Sequence, residues 1–278
     1  MSPISKIIRQ VENITASNLN LRLESGNEKD EISRLAQTFN QMLIRLETSF
    51  KLQQNFVSSA SHELRTPFTI ILGEIELTLM KEREKDYYKK VLLDIYTTTK
   101  ELSNLTNDLL SLAQASKDIL HVKLEPIRID ELLFQIQNDL TKQKKDLHIE
   151  FKNIKLTKSE KDLIIMGNRQ LIKTAFANII NNACKYSNNK TVYIDLKVVA
   201  NRIRIRFIDH GLGIPKEDIS KIFEPFYRSD NAKTNPGNGL GLPLTKIIIN
   251  THKGKILVES TVGEGSIFTV LLPNLNSN

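Results

Sequence analysis

The chain holds one cysteine, Cys184, and no tryptophan. A single thiol excludes an intramolecular disulfide and any cysteine-rich zinc site, and it fits a reducing compartment. Cys184 reads as a small residue on a packed helix. Aromatic residues are few, at 6%. No run of about 18 consecutive apolar residues occurs, so nothing reads as a membrane span. The start, Met1 to Arg9, lacks the apolar core of a signal peptide. The formal charge is +7, but lysines are scattered with acidic residues between them, and no DNA-reading motif is present. This argues against nucleic acid as a partner and for a solvated surface with some attraction to a polyphosphate or an anionic lipid surface. What remains is ample: 278 residues, 40% of them hydrophobic, enough for two or three packed domains.

The most informative segment is Ser61-His62-Glu63-Leu64-Arg65-Thr66-Pro67. On a helix advancing about 100° per residue, Val57, Ala60, Leu64, Phe68, Ile71 and Ile75 cluster opposite His62. Thr66 falls on the histidine's side, one turn away. The spacing therefore predicts an imidazole facing solvent beside a carboxylate, with the other face packed. Pro67 sits inside this run, where a proline costs about 3 kcal/mol. A chain that tolerates that cost beside its His-Glu pair is shaping a site.

Three blocks follow from the patterning. In residues 1–48, Ile4, Ile7, Val11 and Ile14 alternate spacings of three and four, as do Ile32, Leu35, Phe39, Met42 and Leu46. A polar connector with Gly26, Asn27 and Lys29 lies between. Two short amphipathic helices cannot bury their stripes alone and want partners, most simply a second copy. Residues 49–121 continue helically through His62. A charged stretch, Lys81 to Asp86, reads as a turn. A second helix carries Val91, Ile95, Thr98, Leu102, Leu105, Leu109 and Leu112. Such a hairpin is half of a four-helix bundle, completed by a homodimer. Residues 122–278 change character. Strand-like runs appear at Ile149–Phe151, Leu163–Met166, Val192–Val199, Ile203–Ile208, Lys255–Glu259 and Ile267–Leu272. Helical patterns lie at Glu131–Leu140, Gln170–Cys184 and Leu240–Asn250, giving an α/β sandwich.

Four separated elements of this block suit a nucleotide. Asn178 and Asn182 share a helix face, and amide oxygens are hard donors suited to Mg²⁺. Lys185 can meet a phosphate, and Tyr186 offers a flat ring. Asp209-His210-Gly211-Leu212-Gly213 follows a strand. Its carboxylate can accept from an exocyclic amine, and its glycines let backbone approach a ligand. Phe223-Glu224-Pro225-Phe226-Tyr227-Arg228 opens a loop with an aromatic base. Gly237-Asn238-Gly239-Leu240-Gly241-Leu242 starts a helix whose N–H groups suit phosphate. The pattern is neither a Walker A loop nor a Rossmann turn.

The heptapeptide around His62 resembles the phosphoacceptor box of bacterial two-component sensor histidine kinases. Pro3, Asp30-Glu31 and Phe39-Asn40-Gln41-Met42 resemble a HAMP linker domain. The four elements of the third block resemble the N, G1, F and G2 boxes of the Bergerat-type ATP-binding domain, with Gly263 and Gly265 like its late glycine turn. The resemblance implies a multidomain chain: an all-α coiled-coil and four-helix dimer bundle, then a Bergerat-type sandwich. It implies ATP and Mg²⁺ as cofactors, His62 as phosphoacceptor, and Glu63 as base or orienting group. Thr66 would hold a water for a phosphatase reaction. Asp209 would meet the adenine amine and Asn182 the Mg²⁺. Asn178, Lys185 and Arg228 would face the phosphates, and Tyr186 would flank the base. Gly211 and Gly213 would admit the ligand, and Gly239, Leu240 and Gly241 would support the lid.

Gyrase and heat-shock-chaperone ATPases of the wider family carry a glutamate where Asn178 stands. Asn178 cannot take a proton, which favours transfer over hydrolysis. Ser59, Phe68, His210 and Pro243 depart from the commonest residues of the pattern. The implied partners are a second copy, the receiver domain of a separate response regulator, and an N-terminal membrane sensor part absent from this chain. The implied location is the cytoplasmic face of the bacterial inner membrane. An ATPase that forms no phosphohistidine, or a non-catalytic dimeric scaffold, are the other classes the sequence admits.

Overall fold

The computed structural model describes residues 3–12, 14, 15, 18–23, 31–117, 123–143, 147–154, 160–232, 235 and 237–275; the connector residues Gly26, Asn27, Lys29 and Asp30 lie outside them. The chain falls into two compact units, 1–65 and 66–278.

The first unit contains α1 (Pro3–Glu12) and most of α2 (Glu31–Leu79). Asn40 clamps the connector to α2: its Oδ1 accepts the Leu23 N–H at 2.8 Å and its Nδ2 donates to the Leu23 carbonyl at 2.9 Å. Two backbone groups that a connector would otherwise leave to water are thereby paired. Arg22 bonds Glu47, which also holds Lys51 at 2.7 Å. Leu23, Ala36 and Leu43 are buried. The apolar stripes themselves, Val11 and Ile14 on one side and Phe39, Met42 and Leu46 on the other, line an open groove.

Helix α2 runs without interruption across residues 48 and 49 and through Pro67. His62 stands exposed on it, as the periodicity predicts. The opposite face is only partly covered within one chain. Ala60, Leu64 and Ile71 are half-buried, whereas Val57 and Phe68 remain 56% and 53% exposed. Part of this wide apolar stripe therefore stays open, and covering it needs a further helix.

The second unit holds the rest of α2, then α3 (Lys85–Lys117). The predicted turn is shorter than the charged stretch, because Lys85 and Asp86 already form the first turn of α3, where an acidic residue suits the helix dipole. On α3 Leu105 and Leu112 are buried and Val91, Ile95, Thr98, Leu102 and Leu109 half-buried. Among the described residues no helix is long and apolar enough to cross a membrane.

The sandwich consists of β1 (Glu125–Arg128), α4 (Ile129–Gln143), β2 (His148–Ile154), β3 (Ile164–Gly167), α5 (Arg169–Tyr186), β4 (Ser187–Val199), β5 (Arg202–Gly211), α6 (Gly241–Thr251), β6 (Lys255–Thr261) and β7 (Gly265–Pro273). Five strands form one sheet in the order β2-β4-β5-β7-β6, with β2 parallel to β4 and the other pairs antiparallel. A two-stranded ladder of β1 and β3 stands apart. Strand β1 escapes the sequence pattern because it is short and contains Pro126, tolerated at the edge of a small ladder. Strand periodicity of two puts Val192, Ile194 and Leu196, then Ile203, Ile205 and Phe207, then Phe268, Val270 and Leu272 on one buried face. Leu132, Leu133 and Ile136 of α4, Ile172, Phe176 and Ile179 of α5, and Leu244, Ile248 and Ile249 of α6 complete the core. Phe176 and Phe207 meet with ring centroids 5.6 Å apart. Cys184 is buried on α5, as expected.

A buried histidine ties the two site-bearing helices together. His252, just past α6, places Nδ1 2.7 Å from the Ile248 carbonyl. Its Nε2 accepts the Asn168 N–H at 3.0 Å. Asn168 is the N-cap of α5 and accepts from the Leu171 N–H. The ring is therefore neutral, with its proton on Nδ1, and burial holds its pKa below the usual value. A histidine with a lowered folded pKa stabilises the fold above the unfolded pKa and loses that contribution as pH falls. Wild type should exceed His252→Gln in stability by about 1–3 kcal/mol near pH 7.5, and the gap should narrow toward pH 5. Thermal unfolding of both proteins across this range checks it; a constant gap would contradict the assignment.

Candidate functional site

The buried series of β5, Ile203, Ile205 and Phe207, continues in phase to Asp209, which is only 5% exposed. Burying a carboxylate is costly unless it is hydrogen-bonded. Two backbone groups answer that cost: Asp209 Oδ1 accepts the Gly211 N–H at 3.0 Å and the Ser266 N–H at 3.3 Å. Burial nevertheless dominates, and the Asp209 pKa is pushed up to about 6.

The turns that deliver those donors leave no room for side chains. A Cβ on Gly211 would lie 2.0 Å from the Tyr186 carbonyl oxygen. Gly213 has φ +66°, and a Cβ there would lie 2.0 Å from the Thr261 carbonyl oxygen. The late glycine turn meets the same loop, with the Gly263 N–H donating to Leu212 O at 2.9 Å.

Asp209 opens onto a cavity of about 300 Å³. Of the residues singled out in the sequence, Asn178, Asn182, Lys185, Tyr186, Gly213, Arg228, Gly239 and Gly241 share its lining with Asp209. Gly211 and Leu240 stand behind the wall: Gly211 packs on Tyr186, and Leu240 is buried beneath the start of α6. Leu212, Ile214, Ile222 and Phe268, to which the sequence assigned no role, give the cavity apolar lining. Leu212 and Ile214 were visible as the apolar partners of the glycine turn. Phe268 continues the alternation of β7.

The polar end is built from α5 and α6. Asn178 Nδ2 donates to the Gly241 carbonyl at 3.2 Å, which fixes the amide and aims its oxygen elsewhere. Lys185 Nζ donates to the Tyr186 hydroxyl at 2.8 Å and packs against Gly237, where a Cβ would come within 2.7 Å of it. Leu240 caps α6 without a side-chain bond. The ladder begins with the Leu244 N–H on Leu240 O, and Pro243 has no N–H. The N–H groups of Gly241 and Leu242 thus have no acceptor within the helix and suit an anion.

The connection from β5 to α6 is stitched at both ends. The Phe226 N–H donates to Gly239 O at 3.1 Å. Gly239, with φ +70°, lies so close to Phe226 and Tyr227 that a Cβ would meet their backbone at 2.8 to 2.9 Å. The Tyr227 hydroxyl donates to Asp218 at 2.5 Å. This hydrogen bond holds the Asp218 carboxyl below its usual range and pushes Tyr227 up to about 12. The Arg228 guanidinium donates to the carbonyls of Ala232, at 2.8 Å, and Asn235. It braces the loop that covers the cavity. Lys233, Thr234 and Pro236 of that loop lie outside the described residues.

A sandwich with a buried aspartate, glycine turns and an amide-lined helix face defines an ATPase-type nucleotide domain, joined here to helices that carry an exposed histidine. Residues 167–276 match the family of histidine kinase-, DNA gyrase B- and HSP90-like ATPases, residues 52–117 the His Kinase A phosphoacceptor domain, and residues 1–48 the HAMP domain. The chain belongs to the bacterial two-component sensor histidine kinases. It is 34% identical to the signal transduction histidine-protein kinase ArlS of Staphylococcus haemolyticus, over 90% of this chain and 55% of ArlS. It is 26% identical to the sensor histidine kinase CusS of Escherichia coli O6:H1, over 98% of this chain and 56% of CusS. The chain thus spans about half the length of these curated relatives. The solved histidine kinase AdeS of Acinetobacter baumannii superposes with a TM-score of 0.58 at 25% identity, over 77% of this chain and 98% of that one. Histidine kinase ThkA, solved in complex with the response regulator protein TrrA, shares the fold with a TM-score of 0.65 at 23% identity, over 82% of this chain and 63% of that one.

Because Oδ1 of Asp209 is occupied by two N–H groups, Oδ2 is the oxygen left for a ligand amine and for a proton. If this oxygen meets the adenine amine, as the resemblance implies, adenine nucleotide affinity should fall as pH drops through about 6, by about tenfold per pH unit below that point. Asp209→Asn should bind weakly at every pH and lack this slope, which separates the carboxyl from the nucleotide's own phosphates. Equal slopes by isothermal titration in the two proteins would overturn the assignment.

Proposed function

We propose that the chain is an ATP-dependent protein histidine autokinase that phosphorylates His62 and passes the phosphoryl group to an aspartate of a separate response regulator. The observation that carries this is the joining of a nucleotide cavity built around Asp209 to an exposed histidine with a neighbouring carboxylate on α2.

Asp209 Oδ2 accepts from the adenine amine between the apolar walls, and Tyr186 flanks the base. Lys185, the amide of Asn178 and the N–H groups at the start of α6 receive the phosphates, with Arg228 bracing the lid above them. Among the described residues no cluster of three or more His, Cys, Asp or Glu could hold a metal. The lone amide oxygen of Asn182 suits Mg²⁺, which takes one or two protein ligands and completes its shell with phosphate oxygens and water. Bound there, Mg²⁺ would neutralise phosphate charge.

The two halves of the chain meet for transfer. One His62 ring nitrogen attacks the γ-phosphorus in line, the bond from phosphorus to the β–γ bridging oxygen breaks, and ADP leaves with that electron pair. Glu63 orients or takes the proton of the other ring nitrogen. The gain in rate comes mainly from positioning and charge neutralisation. The N–P bond then breaks as an aspartate oxygen of the regulator bonds phosphorus. Thr66, one turn from His62, holds a water that attacks the regulator's aspartyl phosphate, whose aspartate O–P bond breaks to release inorganic phosphate. Exposed Val57 and Phe68 on α2, with the open groove of the first unit, support a homodimer. The HAMP domain supports a full-length protein held at the cytoplasmic face of the inner membrane.

Incubation with γ-labelled ATP and Mg²⁺ should give acid-labile, alkali-stable label on the chain and none on His62→Gln. Label kept by the variant would move the phosphoacceptor elsewhere. ATP turned over to free phosphate without labelled protein would favour an ATPase. Thr66→Ala should slow dephosphorylation of the regulator at least about tenfold while sparing autophosphorylation; loss of both would reject the division of roles.

A further inference from the structure

The nucleotide cavity is not made by the sandwich alone. Asp108 reaches its lining from α3, a helix of the hairpin. Its Oδ2 accepts a 3.0 Å hydrogen bond from Asn238 Nδ2. Asn238 lies between Gly237 and Gly239, and its own Oδ1 faces the Leu240 N–H at 3.4 Å. One amide therefore joins α3 to the glycine run that starts α6. Helix α3 also packs against α6, so the bond sits on an extended surface and not on a stray contact.

Two physical consequences follow. The first is charge. Asp108 brings a carboxylate to Asn238, beside the cluster of Lys185, Gly237 and the α6 N–H groups that suits phosphate. A carboxylate there repels a polyphosphate. The second is restraint. While Asn238 is held by α3, the glycine run is tied to the hairpin and cannot rearrange around a ligand independently of it.

We propose that Asp108 is a latch that holds the glycine run of residues 237–241 in a resting arrangement on α3, and that nucleotide entry opens it. Resting on the reading of this cavity as the ATP site, the latch links occupancy of the cavity to release of the sandwich from α3. Asp108 acts through Asn238 and touches no reacting atom; it is a positioning residue. The reciprocal link also holds: a change in α3 that withdraws Asp108 tightens nucleotide binding.

The test uses the whole 278-residue chain, with Asp108→Ala and Asp108→Asn beside wild type. Amide hydrogen exchange without nucleotide reports the lid, and calorimetric titration with Mg²⁺ and a non-hydrolysable ATP analogue reports affinity. In Asp108→Ala, amides of residues 237–242 should exchange at least about fivefold faster, and the analogue should bind about three- to tenfold tighter. Asp108→Asn keeps an acceptor oxygen but loses the charge. Its lid exchange should stay near wild type while its affinity rises. Unchanged exchange and affinity in Asp108→Ala, or weaker binding, would overturn the latch and leave the ATP site standing. No binding of the analogue by any of the three proteins would overturn the ATP reading itself, and the latch with it.

Discussion

A carboxylate on the buried face of β5 is the constraint around which the nucleotide site is arranged. The same alternation that hides Ile203, Ile205 and Phe207 also hides Asp209. An ionised carboxylate in that position is unfavourable without donors. The Gly211 and Ser266 N–H groups supply them, and both arrive on turns that approach neighbouring backbone too closely for a Cβ. The glycines of the two turns are therefore tied to one oxygen of one side chain. The other oxygen is what a ligand can use.

The opposite end of the cavity follows a different logic. There the helices α5 and α6 meet, with Asn178 bonded to the Gly241 carbonyl and Thr245 Oγ1 to the same carbonyl at 2.8 Å. This fixes the α6 start relative to the amide face of α5, and Asn178, Asn182, Gly241 and Leu242 line the same cavity. His252 fastens the far end of α6 to the N-cap of α5. An asparagine at position 178 cannot act as a base for water. Position 178 therefore supplies hydrogen-bonding groups to this end of the cavity but no general base.

Much of this was legible in the sequence because the motifs are local. The spacing of four between Asn178 and Asn182, the glycines after Asp209 and the glycine run before α6 each determine their own geometry. So does the exposure of His62. What escaped is non-local or weakly patterned. Strand β1 carries a proline and only one buried apolar residue, Ile127, so it gives no alternation to read. Ser187 to Lys190, at the start of β4, are polar, and the pairing of β4 with β5 shifts register between Ser187 and Val192. Arg228 turns onto loop carbonyls, a choice that depends on how the loop folds back. The Asp108–Asn238 bond joins residues 130 positions apart. The face of α2 opposite His62 was read as packed, yet Val57 and Phe68 remain open in a single chain; helical periodicity identifies an apolar face but not the chain that covers it.

Purine discrimination tests the central claim most directly. An aspartate oxygen that accepts from an exocyclic amine pairs with the 6-amino group of adenine and faces a second acceptor, the 6-carbonyl, in guanine. Calorimetric titration of the chain above pH 7 should show ATP binding at least about thirtyfold tighter than GTP, since an unmatched buried polar group costs roughly 1–3 kcal/mol or more. Asp209→Ala should lose most of that preference. Equal affinities for ATP and GTP in the unaltered chain would contradict the account, because the buried carboxylate would then not be reading the base.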